Sequence, residues 1–173
     1  MSLPASWADA GAQRARILAE TRKLVAKDPE LVRMIDGLLA AGAASTAVKL
    51  FAVDLSPSSL GHGFATNLNV IRQDTTASFP EWRRQSLRAL AAMSFVRKPI
   101  WSETVKLPVG KAVRITYRAH FTAGARKIDA FITQYGVVKP GYAFVLTYTT
   151  LPALEPAYRA SFRRSAQSFR LTR

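Results

Sequence analysis

Apolar and polar residues change period twice along this chain, and the changes divide it into helical and extended regions. Ile17, Leu18, Thr21, Leu24 and Val25 recur at helical spacing, and Ser6-Trp7-Ala8-Asp9 ahead of them has the form of a capping box. Asp28-Pro29-Glu30 supplies a cap, an early proline and a first-turn acid for a second stripe of Leu31, Ile35, Leu38 and Leu39. The spacing predicts a helical hairpin over residues 1–45. From Ala47 the period drops to two: AVKLFAVD (47–54) and GFATNLNV (63–70) read as strands joined by the turn-rich SPSSLGHG. Ser78-Phe79-Pro80-Glu81 opens a helix over about 79–94, with Phe79, Trp82, Ala89, Leu90 and Met93 on one face. Four strands then follow at about 99–107, 112–121, 127–138 and 142–150, linked by the short turns PVGK, TAGAR and KPG. A closing helix over about 154–168 carries Tyr158, Phe162, Ala166 and Phe169 as its stripe.

The predicted fold is a single α+β domain over 1–173, with an N-terminal helical hairpin and a mostly antiparallel six-stranded sheet over 46–173. Tyr142–Thr150 is apolar on both sides, as a strand buried under helices on both faces would be, giving an α/β/α sandwich. Pairing Leu107 with Ala112 across PVGK would set Val105 opposite Arg114, Glu103 opposite Thr116 and Trp101 opposite Arg118, a cation–π geometry.

Charge adds direction to this outline. The formal net charge is +14, yet residues 1–81 hold 8 Lys and Arg against 8 Asp and Glu, so that part is neutral. The remainder holds 17 basic residues against Glu103, Asp129 and Glu155, which points to an anionic partner. With no cysteine, disulfides, thiolate catalysis, thiolate-held metals and a lipidated Cys are excluded. No apolar run reaches the length of a membrane span. The expected location is cytoplasmic as the chain stands, and secreted or envelope-associated were a leader to precede it.

No nucleotide or hydrolase motif occurs: GHG at 61–63 does not extend to GxGxxG, and neither GxxxxGK[ST] nor GxSxG is present. His62 reads as a turn residue. Catalytic, cofactor-binding and metal-ligating residues are therefore expected to be none, and no cofactor is expected. The candidate binding surface joins Arg114, Arg118 and His120, on one face of a strand, to Trp101 and to Arg159, Arg163 and Arg170 of the last helix. An exposed basic and aromatic mixture suits an acidic protein, or single-stranded nucleic acid gripped by stacking and phosphate contacts. Asn67 and Asn69 fall on one face of their strand, where buried amides need partners.

GFATNLNVIRQ at 63–73, AFVLTYTT at 143–150 and SFRRSAQSFRL at 161–171, in that order, resemble the PsbP-like fold family, most of all its actinobacterial LpqN-like branch. There a strand of the form NxNV, a late yxlTyt strand and a last helix ending in SF recur, so Asn67 and Asn69 become markers of fold. The resemblance implies helices packed around an antiparallel sheet and a non-catalytic binding or scaffold role. The family includes an extrinsic photosystem subunit, a Ran-binding nuclear import factor and bacterial lipoproteins, and shares no catalytic residues. Leu3-Pro4-Ala5-Ser6-Trp7 is similar to the family's early lPxgW turn, whereas the absence of Cys departs from the lipoprotein branch.

Overall fold

Residues 1–9, 13, 17, 19, 47–123 and 126–171 are described by the structure, a computed structural model. Seven strands form one antiparallel sheet: β1 (Trp7–Asp9), β2 (Val48–Asp54), β3 (Asn67–Asp74), β4 (Val96–Leu107), β5 (Gly110–Ala123), β6 (Arg126–Lys139) and β7 (Tyr142–Thr150). Their spatial order is β1-β2-β3-β7-β6-β5-β4. Helices α1 (Pro57–Leu60), α2 (Phe79–Ala92) and α3 (Glu155–Gln167) follow within the described residues, and residues 13, 17 and 19 are also helical.

The six-stranded sheet preceded by a helical hairpin is thereby corrected. Trp7–Asp9, read as a helix start, is the seventh strand, with Trp7 opposite Asp54 and Ala8 opposite Val53. The capping-box chemistry loses to tertiary pairing. As a strand the segment supplies partners to the free edge of β2, and the Trp7 ring is buried edge-on against Phe162, 6.4 Å between centroids. The Trp7 N–H closes a turn to Pro4 O (3.0 Å), and Leu55 N donates to Ser6 O (2.9 Å). Most of the predicted hairpin, including its second helix, lies outside the described residues.

Strand alternation sends two sets of side chains to opposite faces, and each set meets its own helix. On one face Leu68, Val70, Leu146, Tyr148, Tyr135 and Val137 pack under Phe162, Ala166 and Phe169 at α3. On the other, Val113, Ile115, Ile132 and Val145 receive Trp82 and Leu90 of α2. A smaller cluster of Ala8, Ile17, Phe51, Val53, Leu60 and Ala65 covers the β1–β2 end. α2 starts where its sequence signal lies: the Glu81 carboxylate accepts from Ser78 N (2.9 Å) and Ser78 Oγ (2.6 Å). α3 is tied to the sheet by buried polar contacts. Tyr148 donates to Ser165 Oγ (3.1 Å), and Tyr158 donates to the buried Asp54 carboxylate, which also accepts from Ser56 N (2.9 Å).

The β4–β5 register is two residues from the predicted one. Leu107 pairs with Gly110, not Ala112, so Glu103 faces Arg114 and Trp101 faces Thr116. Gly110 is at φ +125°, a conformation that lets the chain reverse over Pro108-Val109 alone, and Lys139 Nζ donates to the Val109 carbonyl within that turn. At the outer edge the β4 register shifts between Arg97 and Trp101, around Pro99, which has no N–H to offer a further strand.

Burial of tyrosines has a consequence in alkali. Tyr117, in the α2-side core, has its phenol pushed up to about 12 by burial, and Tyr148 is pushed up further. The folded state therefore favours the neutral phenol. This contribution to stability is complete below the ordinary value of 10.0 and is lost as pH rises through about 12. Urea midpoints are expected to fall across that window, and Tyr117→Phe should make the fall shallower. An unchanged slope in Tyr117→Phe would mean that this phenol does not ionise with unfolding.

Candidate binding face

α3 lies over the sheet centre and the Leu107–Ala112 end of β4 and β5, and leaves the rest of this face of the two strands largely exposed. Four basic residues stand on this open area: Arg97 of β4, and Arg114, Arg118 and His120 of β5, with Arg97 directly opposite Arg118. Trp101 of β4 is 55% exposed there, and Phe95, whose carbonyl accepts from His120 N (2.8 Å), is 43% exposed. Trp101 makes no cation–π contact with Arg118, because the register slip sets Thr116 opposite it. His120 Nε2 stands 3.6 Å from Asp129 Oδ1 on β6.

Where α3 meets this open area, a cleft of about 380 Å³ separates the helix from β5 and β6. Arg114 forms one wall, Arg159 and Arg163 of α3 the other, and Phe131, Thr133 and Tyr135 lie beneath. These positions follow from local rules. Residues 131, 133 and 135 alternate onto one face of β6 beside Arg118, Thr116 and Arg114, and Arg159 and Arg163 are one helical turn apart.

Two of the three guanidiniums in the cleft carry carboxylate partners. Arg114 holds Glu103 at 2.7 Å, and Arg159 clasps Glu155 through Nε (2.8 Å) and Nη2 (2.7 Å). Among the described residues Arg163, Arg118 and Arg97 have no ion pair. Burial pushes the Tyr135 phenol up, while the charge and hydrogen bond of Arg114 and the charge of Arg163 oppose that rise. Thr133 is mostly buried, but its hydroxyl, without a hydrogen-bond partner among the described residues, stays open to the cleft.

The predicted surface residues thus fall in three places. Arg114, Arg159 and Arg163 meet at the cleft, while Trp101, Arg118 and His120 lie beside it on the open sheet. Arg170 stands apart: its guanidinium donates to the carbonyls of Gln167 (2.8 Å) and Phe169 (2.9 Å), closing the end of α3. It borders a second cleft of about 450 Å³ with Leu50, Val70, Phe144 and Phe169. Asn67 and Asn69 lie on the opposite sheet face, and the buried Asn67 amide donates to its neighbour's carbonyl, Ala65 O, at 2.9 Å. Sequence reading missed Arg97, Phe95, Thr133 and Tyr135; a correct register for both outer hairpins would have placed them beside Arg114 and Arg118. Among the described residues no group of three or more His, Asp or Glu could hold a metal ion, and no helix is long and apolar enough to cross a membrane.

No protein-family model matches the chain, and no curated protein matches it. Among solved structures it is similar to the protein of unknown function PA94 from Pseudomonas aeruginosa, at 17% identity and a TM-score of 0.51, over 64% of this chain and 75% of that one. The two share a fold. Cyanobacterial PsbP (CyanoP) from Synechocystis sp. PCC 6803 is similar at 15% identity and a TM-score of 0.46, over 75% of this chain and 77% of that one.

Proposed function

We propose that the chain is a non-catalytic binding module of PsbP-like, LpqN-like type that engages an acidic partner protein through the open face of β4 and β5. The observation that carries this reading is the Arg97–Arg118 pair: two like charges directly opposite each other on neighbouring strands, with a carboxylate for neither among the described residues. Such a pair costs the fold about 0.2–1 kcal/mol. An anionic partner would turn that cost into attraction, and the basic excess of residues 82–173 would speed the encounter. Glu103 and Glu155, set among the arginines, favour a partner with mixed charge over a uniformly anionic one.

The reading predicts opposite effects of one substitution. Arg118→Glu would face Arg97 with an opposite charge, so the thermal midpoint should hold or rise slightly. Binding of a labelled glutamate-rich peptide, followed by fluorescence polarisation, should weaken about tenfold. Binding should also decline between about 50 and about 200 mM salt. Peptide binding that is absent at low salt, or indifferent to Arg118→Glu, would sink the proposal. Exposed Phe95 and Trp101 beside Arg118 favour a second reading, single-stranded nucleic acid held by stacking. Tighter binding of an oligonucleotide than of the peptide, lost in Trp101→Ala, would establish it in place of the first.

A further inference from the structure

The cleft between α3 and β5–β6 differs from the open sheet beside it in three respects: it is recessed, its floor is partly aromatic, and its charges nearly cancel. Arg114, Arg159 and Arg163 set against Glu103 and Glu155 leave a single net positive charge. One carboxylate would neutralise that charge, whereas a phosphate monoester carrying about −1.5 to −2 would leave the site negative. Of the three guanidiniums, Arg163 is the one whose fork has no partner among the described residues, the geometry that takes a carboxylate by two parallel hydrogen bonds. Below it, Thr133 is only 7% exposed and brings an unpartnered hydroxyl to the cleft. That hydroxyl is open to the cleft, where it can bond a ligand atom in place of water. Phe131 and Pro156 supply apolar surface, and about 380 Å³ is room for a small molecule rather than a carboxyl group alone.

We propose that this cleft binds one carboxylate carried on an aromatic or apolar body, with Arg163 gripping the carboxylate, Thr133 bonding it from below, and Phe131 and Pro156 receiving the body. The inference rests on the reading of this face as a binding surface and names the chemistry of its anchor. The carboxylate belongs either to a free organic acid or to an acidic partner, as a chain terminus or a side chain beside an apolar residue.

Phenylacetate, inorganic phosphate, and a peptide ending in phenylalanine, as free acid and as amide, distinguish these cases when titrated into the full chain and followed by ¹H–¹⁵N spectra. Phenylacetate should shift the amide signals of Thr133, Tyr135 and Arg163 saturably, and phosphate at equal concentration should not. Arg163→Ala should weaken phenylacetate about tenfold and Thr133→Val about threefold, with Arg170→Ala unchanged as the control. Thr133→Val keeps the side-chain shape, and Arg163 is exposed, so both variants should fold. Binding of the peptide acid but not its amide assigns the carboxylate to a partner; phenylacetate binding with the peptide acid excluded assigns it to a free acid. A preference for phosphate, no saturable shift, or affinities untouched by both variants overturns the proposal. If the glutamate-rich peptide still binds while phenylacetate fails, the cleft inference falls and the open-face reading stands; the reverse result removes the open-face reading alone.

Discussion

Phe162→Ala is expected to cost the fold about 3–5 kcal/mol, the range for truncating a buried aromatic. Phe162 is 2% exposed and stands where α3 meets the sheet. Its ring stacks on Tyr148 (4.7 Å, 27°) and Tyr158 (5.5 Å, 27°) and meets the edge of Trp7 at 6.4 Å. Tyr148 and Tyr158 are fixed through their hydroxyls to Ser165 and Asp54, so they cannot fold into the space a lost ring leaves. A persistent cavity keeps the cost near the top of its range. The urea midpoint should fall while the slope of free energy against urea stays constant, because the same surface is exposed on unfolding. Hydrogen exchange should accelerate first in β1, whose Trp7 loses its partner ring. A cost below about 1 kcal/mol would mean that α3 does not hold this seat. Phenylalanine to leucine, closer in volume, should cost less than half as much.

Phe162 was legible in the sequence as part of a helical stripe, and the reasons other features were less legible are physical. Alternation along β5, β6 and β7 is strong because these strands are long and buried on at least one face, so polar and apolar positions separate cleanly. β1 has three residues, too few for a period to register, and its capping-box residues carry a helical signal of their own. What makes it a strand is the edge of β2, dozens of residues away. The PVGK hairpin could be read in either of two registers with the same side chains inward, since a slip of two residues preserves the facing pattern. Gly110 decides between them, and with it whether Trp101 meets Arg118 or Thr116. The binding face follows the same division. Arg114 and Arg118 share a face by strand parity alone. The approach of Arg159 and Arg163, and the separation of Arg170, depend on where α3 crosses the sheet. That crossing is set by aromatic packing and carries no local signature.

Gly136→Ala offers the sharpest test of how α2 is seated. A methyl group there would lie 2.2 and 2.3 Å from Cζ3 and Cη2 of Trp82 and 3.2 Å from Val113 Cγ1. Trp82 is 6% exposed and its ring is rigid, so relief requires a shift of the helix that carries it. Overpacking of this kind should cost about 2–3 kcal/mol, although Gly→Ala in a strand interior otherwise gains about 0.5–1 kcal/mol from the reduced entropy of the unfolded chain. The two contributions separate in a double-mutant cycle. Trp82→Ala alone should cost about 3–5 kcal/mol by removing the ring that fills the space above β6. In that background the methyl group at residue 136 meets no indole, so Gly136→Ala should become neutral or stabilising. The reversal of sign is what urea unfolding of the four proteins would read out. An equal cost in both backgrounds would locate the effect in the strand itself and remove the close approach of Trp82 as the reason residue 136 is glycine.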